Sequence, residues 1–156
     1  MTPTATPGAP AADSRSSATA WPARLPRVPL SFHQLLFRLG VASVFFKAGL
    51  VKVSSWESTV SLFRDEYQVP VLPPEIAAIL AATFELGCST LLILGFATRL
   101  ATLPLLVMIA TIQLFVYPSA WPEHLVWASI LLFLLTRGAG ALSADHLIAE
   151  ARSRRG

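Results

Sequence analysis

A carboxylate stands near the middle of a long apolar run in this sequence. The run IAAILAATFELGCSTLLILG covers residues 76–95 and contains one charged side chain, Glu85. As a helix rising about 1.5 Å per residue it is ~30 Å long, which matches the hydrocarbon core of a bilayer. Ionisable side chains at that depth are costly, and they typically pair with polar groups or mark a path for ligands or protons. Glu85 is therefore the leading candidate for chemistry.

Polar side chains in the neighbouring apolar runs could meet Glu85. On helices that cross the same bilayer, Lys47 lies about 9 Å and Glu85 about 15 Å from the outer end. Their axial separation of about 6 Å is within the combined reach of the two side chains. Polar residues near the outer ends of the later runs complete the predicted cluster, which consists of Lys47, Glu85, Gln113, Tyr117 and His124.

This cluster has two interpretations, and the sequence leaves both open. A buried ion pair with hydrogen-bonding neighbours can fix how helices pack. The same groups can form a ligand or proton site that opens to the outer face. Arg38 is nine residues before Lys47 and so on the opposite helical face, and we expect it to extend toward the cytoplasmic headgroups.

Metal and thiol chemistry are not indicated. His124 has no second nitrogen ligand at a metal-binding spacing, so no metal site is predicted. Cys88 is the single cysteine, which excludes a disulfide within the chain and dithiol exchange by this subunit alone. The sequence also lacks a histidine pair for haem at span depth and a flavin motif, so no cofactor is evident.

The composition points to a membrane protein. Of 156 residues, 54% are hydrophobic and 13% are charged, with a mean hydropathy of +0.60, which is too apolar for an ordinary soluble domain. The net charge of +3 is not gathered in one patch, so a nucleic-acid partner is not expected. The expected partner of the apolar surface is the lipid bilayer.

Four apolar windows predict an all-α membrane protein with a four-transmembrane-helix bundle over residues 30–137. Pro74 suits the first position of the second helix, and Gly95 suits its end. The fourth window is short for a span, at about 22 Å. The predicted spans are residues 31–53, 74–95, 98–117 and 122–136.

The segments outside these windows have their own patterns. Residues 1–29 are rich in proline and alanine and predict a disordered tail. In the first outer loop, Trp56, Val60, Phe63 and Tyr67 recur at helical spacing, which indicates a short amphipathic helix. The C-terminal segment, residues 138–156, predicts a second amphipathic helix on the cytoplasmic side, with Ser143 as its N-cap.

The positive charges predict the orientation. With four spans, eight arginines fall on one side of the membrane, and Lys52 and Arg64 fall on the other. The side with more arginines is expected to be cytoplasmic, which places both termini there. The eight are Arg15, Arg24, Arg27, Arg99, Arg137, Arg152, Arg154 and Arg155.

The chain resembles the DoxX family of small bacterial membrane proteins between about Leu35 and Leu147. The likeness rests on the order and spacing of several stretches, none of which is diagnostic alone. They are RLGVASVFFKAGLVKVSSW, YQVPVLPPEIAA, FEL around Glu85, LGFATRLA, QLFVYPSAW followed by His124, and GAGALSADHL.

The resemblance implies a four-helix protein of the bacterial cytoplasmic (inner) membrane. It also implies a link to quinol-dependent redox systems or to soluble redox or detoxification enzymes. It supplies no catalytic set, so we expect a non-catalytic subunit or membrane partner of a redox or stress-related complex, which binds quinone or lipid through the polar cluster. A quinone ring could lie against Phe46, Phe84 or Trp127.

Two alternative functions fit the same residues. The first is a small transporter component that uses Glu85 as a proton-coupled group, and it requires a homo-oligomer because four spans leave little room for two gates. The second is an assembly scaffold whose surfaces matter and whose polar cluster tolerates substitution.

Overall fold

A computed structural model describes residues 28–156, and every regular element in that part of the chain is helical. The predicted tail, residues 1–29, lies outside the described residues except for its last two. There are six α-helices, with a π-helical turn after α2 (Phe63–Tyr67) and another after α4 (Ile112–Val116). The helices are α1 (Leu30–Ser54), α2 (Trp56–Leu62), α3 (Pro74–Leu94), α4 (Thr98–Thr111), α5 (Trp121–Arg137) and α6 (Ala144–Ser153).

Within residues 28–156, four helical segments are long and apolar enough to cross a membrane, which confirms the predicted fold class. They are Leu30–Ser54, Pro74–Leu94, Thr98–Val116 and Pro118–Arg137. The helices α1, α3, α4 and α5 form a closed ring in which each contacts the next and α5 returns to α1. Because successive helices run in opposite directions, the ring has two ends, which we name the Tyr117 end and the Arg38 end after residues that lie there.

Proline and glycine mark the bounds of α3. Pro74 occupies the first turn, where a missing N–H costs nothing. Gly95 follows the last turn with φ +67°, and the N–H groups of Gly95 and Phe96 donate to Leu92 O and Leu91 O. This Schellman arrangement needs a left-handed residue, which glycine adopts without steric cost. The predicted bounds of this span therefore agree with the helix to one residue.

A small apolar core lies inside the ring, and much of the outer surface is apolar as well. Large side chains such as Leu100, Val107 and Leu114 of the span Thr98–Val116 are about two-thirds exposed. A continuous exposed apolar surface of this kind is typical of helices that face lipid. The fully buried apolar side chains include Val41, Leu92, Leu105, Leu131 and Leu134.

At the Tyr117 end, a short segment covers the ring between α1 and α3. We call the segment Trp56–Pro73 the cap. It consists of α2, the π-helical turn Phe63–Tyr67 and the loop that leads to Pro74. Phe63 is buried against Ala77 and Ala78 of α3. A helix thus occupies the place predicted for the amphipathic helix, and Val60 and Phe63 pack on the bundle, whereas Trp56 is exposed.

At the Arg38 end, the chain after α5 is tied back onto the ring. Gln34 donates to Arg137 O and Gly138 O at 3.3 and 3.2 Å, and Arg38 donates to Leu142 O. Ser143 is the N-cap of α6, since its hydroxyl accepts a hydrogen bond from His146 N at 3.2 Å. The C-terminal segment is therefore anchored to α1 by buried polar side chains.

The prediction for Arg38 is wrong. Its side chain is 1% exposed rather than extended toward headgroups. It lies against Gly95 and Ser143, inside the Arg38 end of the ring. The lack of a side chain at Gly95 creates the space that the guanidinium fills. Because Gly95 follows a different helix, the periodicity of α1 alone does not predict this space.

Candidate functional site

A cavity of about 680 Å³ lies in the half of the ring nearer the Tyr117 end. Its walls come from α1, α3, α4 and α5 and from the cap, and they are largely apolar. That volume is typical of sites that bind small organic molecules. The polar side chains in its wall are Lys52, Tyr67, Glu85, Thr111, Tyr117 and His124.

A buried ion pair forms one wall of the cavity. Lys52 Nζ on α1 donates to Glu85 Oε1 on α3 at 2.8 Å, with the two side chains 16% and 4% exposed. Side chains on a helix lean toward its N-terminus. On antiparallel neighbours such as α1 and α3, Lys52 and Glu85 therefore lean toward each other.

The close approach of α1 and α3 supports this pair. A Cβ atom at Gly49 would lie 3.0 Å from the Glu85 Cβ and 2.8 Å from Leu86 Cγ. Only a residue without a side chain allows the two backbones to pack so closely. Gly49 thus brings Glu85 within reach of the lysine one turn further along α1.

The second oxygen of Glu85 has no partner. Glu85 Oε2 is buried and makes no hydrogen bond within the described residues. A carboxylate can accept several hydrogen bonds, and a buried acceptor left without one is costly. Because Glu85 lines the cavity, this unpartnered acceptor lies in the cavity wall, covered by protein atoms.

The predicted pairing of Lys47 with Glu85 is wrong. Lys47 is exposed on the side of α1 that faces away from the ring, and it does not line the cavity. Its position is nearly opposite that of Val41 and Phe45, which are buried. Matching the depths of two residues identified the right helices, but the face of α1 that packs on α3 is that of Lys52.

His124 and Gln113 form a second polar unit. His124 is 6% exposed, and its Nδ1 lies 2.7 Å from Gln113 Oε1. The Gln113 amide is oriented by donation from Nε2 to Pro118 O at 2.9 Å, so its oxygen is left to accept from the imidazole. His124 Nδ1 therefore carries a proton, and in the neutral ring Nε2 has a free lone pair.

Tyr117 connects the ring to the cap. Its hydroxyl donates to the carboxylate of Glu66, which favours the protonated phenol and raises the pKa of Tyr117 above its usual value. The aromatic ring of Tyr117 packs edge-on against that of Tyr67, with the two centroids 5.7 Å apart. Burial also raises the pKa of Tyr67, an effect that Tyr117 partly offsets and that Glu66 and Glu85 reinforce.

Aromatic rings line the cavity beside these groups. Trp127 packs against Phe45 and His124, with centroids 5.8 and 5.6 Å apart. Phe84 and Trp127, two of the three rings predicted to face a ligand, are in the wall, whereas Phe46 is not. Phe46 is one position from Phe45, and that rotation of about 100° turns it away from the cavity.

Of the predicted cluster, the structure brings four residues to one region. Glu85, Tyr117 and His124 line the cavity, and Gln113 orients His124 from behind it. Lys52 and Tyr67 were not predicted as site residues. A signal for Lys52 exists in the sequence, since Arg38, Phe45 and Lys52 are spaced by seven residues and all three lie on the ring-facing side of α1.

Among residues 28–156 no group of three histidine, cysteine or acidic side chains is placed to hold a metal ion. Cys88 is buried and free. The groups available for binding in the cavity are therefore the ion pair, the imidazole and the two phenols.

Comparisons with known proteins give a family. The model of the DoxX family matches residues 33–118. An uncharacterized protein of Haemophilus influenzae is 30% identical over 124 residues, which are 73% of this chain and 82% of the relative. No solved structure matches.

Proposed function

Because the chain belongs to the DoxX family of membrane proteins, we propose that it is a non-catalytic membrane subunit that binds a quinone-type molecule in the cavity. The observation that carries the proposal is Glu85 Oε2, a buried acceptor without a partner in the wall of a largely apolar cavity. Such an atom is expected to meet a donor on a ligand, since leaving it unpaired is costly.

The chemistry of the wall suits a ring with two oxygen atoms. With its carboxylate turned toward the cavity, Glu85 can accept a hydrogen bond from a hydroxyl of the reduced quinone, and an unprotonated His124 Nε2 can accept another. Lys52 Nζ has further protons that could be donated to a carbonyl of the oxidised ring. Both redox forms therefore have polar partners, while Phe84 and Trp127 offer apolar contact to the ring.

The proposed setting is the bacterial inner membrane, with the Arg38 end in the cytoplasm. The exposed arginines Arg99, Arg137, Arg152, Arg154 and Arg155 lie at that end or follow α6, and the positive-inside rule assigns such an end to the cytoplasm. A soluble redox or detoxification enzyme is the proposed partner in a redox or stress-related complex. The quinone site would then face the opposite leaflet.

Lipid extraction and thermal stability test the quinone proposal. We expect the protein purified in mild detergent to carry quinone, and added quinone to raise its thermal unfolding midpoint. Glu85→Gln should weaken that shift, because the amide replaces the free acceptor and the charge that holds Lys52. Glu75→Gln is the matched control, since Glu75 on the same helix pairs with Arg64 at 2.7 Å but is exposed.

The result that would reject the proposal is equally direct. A quinone-free extract together with no quinone-dependent shift in the wild-type protein would remove quinone as the ligand. An equal loss of the shift in the Glu85→Gln and Glu75→Gln variants would remove Glu85 from the site.

A further inference from the structure

Part of the cavity wall is also part of the lipid-facing surface. Leu80 and Phe84 on α3 and Leu103 and Val107 on α4 all line the cavity, and all are exposed on the outside of the ring. A side chain that borders both an interior space and the exterior lies at the rim of an opening. The cavity therefore opens sideways between α3 and α4.

The remaining helices close the cavity more fully. The residues that α5 contributes to the wall, His124 and Trp127, are buried or half-buried. On α1, Val44 is the exposed lining residue. It lies about 140° around the helix from Gly49, which packs on α3, so it faces α5, where no lining residue is exposed. The gap with exposed side chains on both borders is thus that between α3 and α4.

The depth of this opening is that of the hydrocarbon core. Val107 and Leu103 are about 13 and 20 Å from the Tyr117 end of their span, counted along the helix axis from Val116. The exposed lining residues Leu72 and Tyr117 lie at the Tyr117 end itself, where the chain leaves the spans. A molecule at the α3–α4 gap would meet acyl chains rather than water.

We infer that the ligand is an amphiphile whose small polar head lies at Lys52, Glu85 and His124 and whose long apolar tail leaves through the α3–α4 gap into the bilayer. This inference rests on the proposed function for the identity of the head, and it adds the tail and its path. The cavity has the volume of a drug-sized molecule, so a long tail must lie partly outside it. The apolar rim of Leu80, Phe84, Leu103 and Val107 suits an alkyl or isoprenoid chain.

The chain offers a closely matched control for this gap. Leu100, Val107 and Leu114 are spaced by seven residues on the same face and are 68%, 67% and 68% exposed. Of the three, Val107 lines the cavity, whereas Leu100 and Leu114 do not. Phenylalanine at Val107 narrows the gap, and phenylalanine at Leu100 changes the same lipid-facing surface without reaching it.

The first measurement compares decyl-tailed ubiquinone with its tail-less parent ring, using binding to the protein in nanodiscs. For Leu103→Phe/Val107→Phe, we expect affinity for the tailed molecule to fall by about tenfold or more, with the ring affected less than about twofold. Leu100→Phe/Leu114→Phe should leave both unchanged. The inference would be overturned if the two double variants had the same affinity for the tailed quinone. It would also be overturned if Leu103→Phe/Val107→Phe weakened binding of the tailed and tail-less quinones equally.

A second measurement does not depend on a quinone head. With Trp21, Trp56 and Trp121 changed to phenylalanine, fluorescence reports Trp127, which lines the cavity. Phospholipids with brominated acyl chains should quench Trp127 through the gap, less so after Val107→Phe and unchanged after Leu100→Phe. If the wild-type protein does not bind the tail-less quinone, the proposed function fails, and the quenching measurement then tests the opening between α3 and α4 by itself. Equal quenching of Trp127 in the Val107→Phe and Leu100→Phe variants would reject that opening.

Discussion

Lys52 and Glu85 are a pair of opposite charges removed from water, and the stability of the protein depends on keeping both or neither. Removing one partner of a buried pair leaves an uncompensated charge, which typically costs about 3–5 kcal/mol. We expect Lys52→Met to lower the free energy of unfolding by that order, and Lys52→Met/Glu85→Gln to recover most of the loss. Thermal unfolding in detergent measures the effect.

The exposed pair Arg64–Glu75 is the control for this cycle. Its side chains are 59% and 53% exposed, so Arg64→Met should change stability by no more than about 1 kcal/mol. A double variant at Lys52 and Glu85 that is as unstable as Lys52→Met alone would contradict the expected coupling.

The two tyrosines of the chain, Tyr67 and Tyr117, should both ionise above the usual phenol pKa of 10.0. A raised folded pKa means that the fold favours the protonated form. Its contribution to stability is full below the unfolded pKa and is lost as the pH rises through the folded pKa. Phenolate absorbance during an alkaline titration measures this directly.

Glu66→Gln separates the two phenols. The carboxylate is the main cause of the raised pKa of Tyr117, so its removal should lower that pKa in a Tyr67→Phe background, where Tyr117 is the remaining phenol. An unchanged pKa of Tyr117 would show that its hydrogen bond to Glu66 does not form in solution.

A site residue could be assigned from the sequence where the evidence lay within its own helix, and not where it depended on packing against another helix. Glu85 was identifiable because a lone carboxylate in an apolar run must be sheltered. Its partner was harder to identify: the seven-residue spacing of Phe45 and Lys52 places them on one face of α1, but the close approach at Gly49 decides that this face is the one turned to the ring. Arg38 was misassigned for the same reason, since its space is provided by Gly95 on another helix.

At the scale of elements, the joint between α3, α4 and α6 is held by partly buried polar contacts. Asp145 accepts from Ala97 N and Thr98 N at 2.8 and 3.2 Å, and its own N–H donates to Gly95 O at 3.0 Å. A carboxylate at the start of α4 satisfies N–H groups that have no partner within the helix. The turn after α3 is therefore fixed both by its glycine and by α6.

Gly95→Ala should disrupt this joint. The new Cβ would clash with the Arg38 guanidinium and Ser143, and the φ of +67° is unfavourable for alanine. We expect a loss of stability of more than about 2 kcal/mol, measured by thermal unfolding. Gly87→Ala is the control, because a Cβ there meets nothing within 4 Å and alanine favours the helix by up to about 1 kcal/mol. Equal effects at the two positions would refute the account of the joint.

Elements were more predictable than contacts between them. Pro74 and Gly95 marked the bounds of α3, and the predicted N-cap Ser143 begins α6. Signals at helix ends can be read from the sequence because they depend only on residues within a few positions of the end. The π-helical turns that end α4 and follow α2 were not predicted, because they lie where the two segments meet and pack through Tyr67 and Tyr117.

At the scale of the whole molecule, the ring divides into two halves of different character. The Arg38 end is closed by buried side chains that bind the C-terminal segment. The half toward the Tyr117 end encloses a cavity and ionisable groups. The proposed ligand would therefore lie toward one face of the membrane, with the C-terminal segment anchored at the opposite end of the ring.

The distribution of positive charge predicts which end of the helix ring faces the cytoplasm. Positive residues are retained on the cytoplasmic side, so we expect the C-terminus in the cytoplasm and the cap outside. Green fluorescent protein fused after Gly156 should fluoresce in cells, and alkaline phosphatase inserted at Val71, which is 99% exposed in the cap, should be active. The reciprocal fusions are controls: phosphatase after Gly156 should be inactive, and fluorescence from Val71 should be absent. The opposite pattern would place the cavity in the cytoplasmic leaflet.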